Sequence, residues 1–379
     1  MHFTIGKKLF LRGLSRCHGV ADRKASMPIL SNLLLQSEGK ARLGVRATDL
    51  YLGVHASVEA DIEEEGAIAV NARTLFDIVK NLPEGDVRCA LLPAQGLEIR
   101  AGKVRYRIGG MPATEFPSLP SAGEGHFYTL DGDLLLTLIG RTHYAMSSDD
   151  SRPHLAGALF QVDAQALRMV TTDGHRLSKA EVEQEGGEGS DFSMLIPARG
   201  IQELKRLIED LKAARGKGEE GPLSVELAKV GNHAFFRAPG LELSVKLTDE
   251  NFPPYEKVIP QQQSRRVVAS RASLMEALRR MTLVTSNRGS GIRMQLDPGI
   301  LRVASESHEV GEGSEEVDVD YAGEPLTIGF NARYLLDALT ALEDDDIALE
   351  LSGELDPGVV RPATQERRDF VGVVMPMRI

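Results

Sequence analysis

Three short runs in this chain hold residue types that could do metal chemistry: Asp173 beside His175, Asp318 with Asp320, and Asp344-Asp345-Asp346. As ligand sets they would suit a metal-dependent nuclease or transferase. Each also has a structural reading, and it is the stronger one. Asp173 belongs to a Gly-bearing turn, where Asp accepts from local backbone donors. Asp318 and Asp320 share one face of an expected strand, and the three-Asp run leads into a strand as a solvated turn. Neither Gly187-Glu188-Gly189 nor Gly311-Glu312-Gly313 is followed by the residues of a phosphate-binding loop, so no ATP site is expected. Cys17 and Cys89 are the only cysteines, lack a paired spacing to His, and read as reduced thiols. The residues point to no catalytic group, no metal and no cofactor.

The elements that carry these runs repeat. Asn71-Ala72-Arg73-Thr74-Leu75 returns as Pro197-Ala198-Arg199-Gly200-Ile201 and as Asn331-Ala332-Arg333-Tyr334-Leu335. The starts lie roughly 130 residues apart, about one domain length. Ala47-Thr48-Asp49, Thr171-Thr172-Asp173 and Ala304-Ser305-Glu306 keep the same phase. In 379 residues this predicts three similar domains, placed at 1–121, 127–256 and 261–379, with 42% hydrophobic content to fill three small cores. Each repeat reads as helix, strands, helix, strands: an α+β domain with antiparallel sheets.

The first helices are expected at Lys7 to about His18, Asp133 to about Met146 and Arg271 to about Val284. The second start at Asn71, Pro197 and Asn331 and run about three turns, with Asn as N-cap and Pro in a first turn. Leu75, Ile78, Val79 and Leu82 make one apolar stripe, and Ile201, Leu204, Leu207, Ile208 and Leu211 another, as a helix lying on a sheet requires. Leu33 to Leu35, Gly53 to Val58, Ala158 to Val162 and Leu241 to Leu247 read as strands.

A net charge of −11 argues at first against a nucleic-acid partner, but the acids crowd into expected loops. Cations gather on the helices. Lys8, Arg12 and Arg16 recur every four residues; Arg73 and Lys80, Arg199 and Arg206, and Lys205 and Lys212 repeat at seven; Arg271, Arg279 and Arg280 join them. One such stripe is ordinarily a solvated face. The same bias over three repeats of an acidic chain points to a polyanion, although the middle first helix offers only Arg141. A protein scaffold that never meets DNA would leave those faces unused. No run reaches the ~18 apolar residues of a membrane span, and the opening Met1 to Lys8 lacks a signal peptide's apolar stretch, so a cytoplasmic chain is expected.

Four motifs carry a resemblance over the whole chain: Thr172-Asp173-Gly174-His175-Arg176-Leu177, Asn251-Phe252-Pro253-Pro254-Tyr255, Gly329-Phe330-Asn331 with Tyr334, and the terminal Val374-Met375-Pro376-Met377-Arg378-Ile379. The chain resembles the β subunit of bacterial DNA polymerase III, the replicative sliding-clamp family. The resemblance implies a non-catalytic processivity factor, two copies of which close head to tail into a ring around duplex DNA. Size agrees: six helices side by side would leave a bore of ~8 Å, whereas twelve leave about 26 Å, wider than a B-form duplex of roughly 20 Å.

Helix position and charge then assign the bore to Arg12, Lys24, Arg73, Arg199, Lys205, Lys212, Arg279 and Arg280. The resemblance supports Lys24 and Arg152 most directly, in loops. It implies a pocket for short peptides of the polymerase III catalytic subunit, other polymerases, the clamp loader and repair proteins. The matching residues are Leu155, Thr172, Gly174, His175, Arg176, Leu177, Pro253, Lys257, Val258, Asn331, Tyr334, Val373, Val374, Met375, Pro376, Met377 and Arg378. It sets the homodimer contact at Tyr106 and Ile108 against Leu283 and Val284 of the other copy. Departures from the family pattern are Lys257 in place of an arginine, a short 286–291 stretch, and Ile379 in place of a terminal leucine.

Overall fold

The computed structural model describes residues 1–21, 27–93, 95–149, 151–163, 166–183, 192–215, 221–285, 291–364 and 369–378. Lys24, the Gly187-Glu188-Gly189 run, most of the 286–291 stretch and Ile379 lie outside the described residues.

Six α-helices occur among the described residues: α1 (Lys7–His18), α2 (Ala72–Asn81), α3 (Gly132–Thr142), α4 (Ala198–Ala214), α5 (Arg271–Thr282) and α6 (Ala332–Thr340). The expected N-caps form where Asn stands. The Asn71 side chain accepts from the Thr74 N–H at 3.0 Å and that of Asn331 from the Arg333 N–H at 2.9 Å. Pro197 instead closes the strand Phe192–Pro197, one residue before α4, and α4 runs 17 residues, longer than the three turns read from the sequence. α3 stops at Thr142 and passes into a 3₁₀ turn, His143–Ala145. A strand precedes the first helix of every repeat, at His2–Gly6, Tyr128–Asp131 and Arg265–Ser270. These were not read from the sequence, because four to six mixed residues show little alternation.

The chain divides into two compact units, Met1–Gly132 with Gln202–Leu247 and Asp133–Ile201 with Thr248–Ile379. The first contains a 13-stranded sheet and the second a 12-stranded sheet among the described residues, and the strand pairs described are antiparallel. In the first, Leu241–Lys246 pairs with Leu52–Glu59, so strands far apart in sequence join one sheet. In the second, Phe370–Val374 pairs with Arg176–Glu183 in the same way.

Helices cover these sheets with the stripes their sequences provide. On α2, Ala72, Leu75 and Val79 are buried, each larger side chain contributing about 1.5–3 kcal/mol by leaving water. Phe3 and Phe10 meet edge to face at 5.9 Å in the first unit's core. In the second unit, Leu274, Leu278, Phe330, Leu335, Leu339, Phe370 and Val374 share one core.

Candidate functional site

In the second unit, the turn at 172–176 is fixed by its own side chains. The Asp173 carboxylate accepts from the His175 and Arg176 N–H groups at 2.9 and 3.0 Å; the Thr172 hydroxyl donates to the Arg176 carbonyl at 2.7 Å and accepts from the Gly174 N–H. Gly174 sits at φ +90°, a left-handed conformation for which glycine has no steric cost. Asp173 is thus a turn-former, as its structural reading held. Asp318 and Asp320 lie exposed on one face of Gly311–Asp320, and Arg271 closes the Asp344-Asp345 turn through backbone carbonyls.

From this turn Arg176 reaches inward. It donates to Asp173, to Asp337 on α6 and to the Tyr144 carbonyl, and its guanidinium carbon lies 4.4 Å from the Tyr334 ring centre. Such a multiply bonded, stacked guanidinium holds a fixed position. Beside it, His175 faces Tyr334 with ring centres 6.5 Å apart.

A cavity of about 170 Å³ opens next to Arg176, lined by His154, Leu155, Thr172, Gly174, Arg176, Leu177, Pro253, Tyr255, Val258, Val373 and Met375. Nine of these are among the sequence candidates. His154 and Tyr255 were missed, although Tyr255 ends the Asn251-Phe252-Pro253-Pro254-Tyr255 motif. Its ring belongs to the core beneath the cavity, its hydroxyl bonds Gln161 at 3.0 Å, and burial pushes its pKa up to about 12. The C-terminal tail crosses beside the cavity on two backbone bonds, Met375 N–H to His175 and Met377 N–H to Gly329.

The remaining candidates sit elsewhere. Val374 is turned into the core, because neighbouring strand residues face opposite sides and Val373 takes the pocket side. Asn331 caps α6, Lys257 is exposed outside the lining, Tyr334 lies under Arg176, and Pro376, Met377 and Arg378 form the tail. Arg152 spans Asp149 and the Asp173 carbonyl, bracing the turn.

The first unit carries the same turn. The Thr48 hydroxyl donates to the Leu52 carbonyl, the Asp49 carboxylate accepts from the Tyr51 and Leu52 N–H groups, and Leu50 occupies the left-handed place of Gly174 at φ +75°. Lys246 N–H bonds the Tyr51 carbonyl at 2.8 Å, as Met375 does His175. Here, however, a methyl built on Gly53 would meet the Ser244 hydroxyl at 2.6 Å and the Leu119 side chain at 3.0 Å. The chain's own Leu119 fills the space at the position corresponding to Leu177.

Of the basic candidates, Arg12, Arg73, Arg199, Lys212 and Arg279 are exposed on their helices, and Lys205 is half-exposed, 4.0 Å from Glu209. Arg73 has a loose ion pair with Asp77 at 3.7 Å. Arg280 is committed to Glu315 through two bonds and to Glu276, which raises its pKa. Two stripe members turn to partners within the fold, Arg16 fully and Arg206 in part. Arg16 is buried on Asp210 at 2.8 Å, and Arg206 donates to the Ser15 and Arg16 carbonyls at the end of α1 and to Glu203. Arg141 is likewise bonded to Asp369. Arg333 is exposed on α6 and was overlooked, though it occupies the repeat position of Arg73.

Tyr106 and Ile108 lie on Val104–Met111. This strand pairs along 104–109 with Gly96–Ala101, but on its other side only at 110–111, leaving an open edge at 104–108 among the described residues. Leu283 is 76% exposed after α5, and Val284 lies beside Gly313 of Gly311–Asp320. That strand too has an open edge, at 311–318, among the described residues. The first edge is cationic: Arg105, Arg100 and Arg107 surround Glu98 and hold its carboxyl down at about 2. The second carries Glu312, Glu315 and Glu316, with Arg280 and Arg302 beside them.

An apolar notch on a rigid sheet junction, with its charged groups already tied to one another, is the build of a docking protein made from internal repeats. Comparison with known proteins makes the class specific. Residues 1–120, 129–254 and 256–378 match, in order, the N-terminal, central and C-terminal domains of the DNA polymerase III beta subunit. The chain is 35% identical over 385 residues to the beta sliding clamp of Pseudomonas putida and 31% identical over 386 residues to that of Escherichia coli, covering 100% of each. It matches the crystal structure of the DNA polymerase III subunit beta from Pseudomonas aeruginosa with a TM-score of 0.92 at 34% identity, over 100% of both chains. The chain belongs to the bacterial DNA polymerase III β-subunit family of sliding clamps. No helix among the described residues is long and apolar enough to cross a membrane.

Proposed function

We propose that two copies of this chain, each with domains at 1–121, 127–256 and 261–379, close head to tail around duplex DNA in the cytoplasm. The ring would act as a non-catalytic tether. The observation that carries this reading is the pair of open strand edges of opposite character, cationic at 104–108 and acidic at 311–318. Antiparallel pairing of the first edge with the second of a partner copy satisfies both rows of backbone groups and extends one sheet across the seam, with Tyr106, Ile108, Leu283 and Val284 flanking it. Isolated, such edges invite aggregation; joined twice, they close a ring.

Retention then comes from closure, and contact with phosphate is weak, sequence-independent and sensitive to salt. Arg12, Arg73, Arg199, Lys205, Lys212 and Arg279 supply that contact, with Arg333 added; Lys24 and Arg152 serve from loops. Arg280 contributes less, because Glu315 neutralises it locally. The cavity beside Arg176 takes the apolar anchors of peptides from the polymerase III catalytic subunit, other polymerases, the clamp loader and repair proteins, its Met and aliphatic walls adapting to different side chains.

The test is retention on circular DNA. Clamps loaded on a nicked circle should stay through gel filtration and leave once the circle is cut; equal loss from both templates refutes encirclement.

A further inference from the structure

The chain carries two of its exposed methionines together on the C-terminal tail. Of its 11 methionines, six are buried, including Met169, Met194 and Met294 inside sheets, and Met111 and Met146 are half-buried. Only Met27, Met375 and Met377 are open to solvent, at 44%, 38% and 37%. The two cysteines do not compete for oxidants. Both are buried, and burial pushes Cys17 up to about 12 and raises Cys89 as well, so neither presents a thiolate. Two of the three exposed methionines therefore stand two residues apart on the tail at the cavity, and Met375 lines it.

We propose that Met375 and Met377 are a reversible oxidation site through which peroxide switches off docking in the cavity. This rests on the cavity being the peptide seat. A methionine sulfur lone pair attacks one oxygen of hydrogen peroxide; the S–O bond forms as the O–O bond breaks, the peroxide is reduced, and water leaves. The product is a sulfoxide, polar and chiral, where an apolar and flexible wall stood. The Arg176 nitrogens already bond Asp173, Asp337 and the Tyr144 carbonyl, so serving the new oxygen would compete with the bonds that fix the turn. An incoming apolar anchor would have to bury that acceptor unsatisfied. Methionine sulfoxide reductases reverse the change.

The experiment treats the full-length protein with hydrogen peroxide, removes the oxidant with catalase, locates sulfoxides by peptide mass spectrometry, and measures stimulation of DNA polymerase III catalytic subunit. Sulfoxide should appear at Met375 and Met377 before any buried methionine. The half-saturating clamp concentration should rise roughly tenfold or more, the size expected for one unsatisfied buried acceptor, and reductase should restore it. The M375L/M377L chain, compared with its own untreated form, should be indifferent to peroxide, whereas Met27→Leu should respond as the unsubstituted chain does. Sulfoxide at both tail positions without a shift, a shift that persists in M375L/M377L, or oxidation confined to Met27 overturns the proposal. An untreated Arg176→Ala chain separates the two readings: if it stimulates polymerase normally, the seat itself is wrong; if it fails while the oxidised chain works, only the switch is.

Discussion

Arg176 is the residue on which the pocket turns, since it ties the 172–176 turn to α6 and to Tyr144 in one set of bonds. Arg176→Ala should lower polymerase stimulation at least tenfold and cost about 2–3 kcal/mol in urea unfolding, because Asp337 and the Tyr144 carbonyl lose a charged donor. Arg176→Lys should recover part of the stability and less of the stimulation, a point charge being unable to reproduce the fork. Glu38 gives a second test. Its bond to His55, with Ser57 and Arg46 adding to it, lowers its pKa from about 4.5 to about 2. A depressed folded-state pKa means that stability is fully present above pH ~4.5 and is lost as pH falls toward 2. Unfolding midpoints across that window should decline less steeply in Glu38→Gln, by about 1 kcal/mol after allowing for solvent screening. The distant partner that ties the turn to α6 was not legible from the sequence, for Asp337 is 161 positions from Arg176. What was legible was type and local spacing: the Thr-Asp-Gly turn, the apolar tail, the proline pair before Tyr255.

Among elements, helices were read best where one side chain settles the matter, as at Asn71 and Asn331, and worst where charge alone was the guide. Arg16 and Arg206 fit a basic stripe by spacing, yet each is drawn to the other's helix, through Asp210 and the α1 carbonyls, a contact that no periodicity encodes. The short opening strands were invisible because pairing, with Asp86–Leu92 in the case of His2–Gly6, defines them. Two predictions belong here. Ile108→Asp on the 104–108 edge should give a species of single-chain mass in analytical ultracentrifugation, while persistent dimer would remove that edge from the seam. Leu50→Gly should raise thermal stability by up to about 1 kcal/mol, since a leucine at φ +75° bears a left-handed strain that glycine does not; an unchanged or lower melting temperature would show that the exposed leucine has compensating contacts.

At the scale of the molecule, the threefold repeat was plain in the sequence, whereas the grouping into two sheets, each recruiting strands across a repeat boundary, was not. The repeated landmarks mark where domains begin; they are silent on which edges join. If closure joins edges of opposite charge, the dimer should weaken as salt rises, and sedimentation at about 0.1 M and 1 M sodium chloride should show a larger single-chain fraction at the higher concentration. A seam indifferent to salt would make its contacts mainly apolar, through Ile108 and Leu283.

The plugging of the first junction by Leu119 bears on traffic. Two copies of the same turn descend along this chain, and Leu119 stands in one notch while the other opens into a cavity, so the proposed ring would offer two berths instead of four. With an enzyme moored at one, a single vacancy would remain for a relief, and exchange on the template would become a contest between two occupants rather than a crowd.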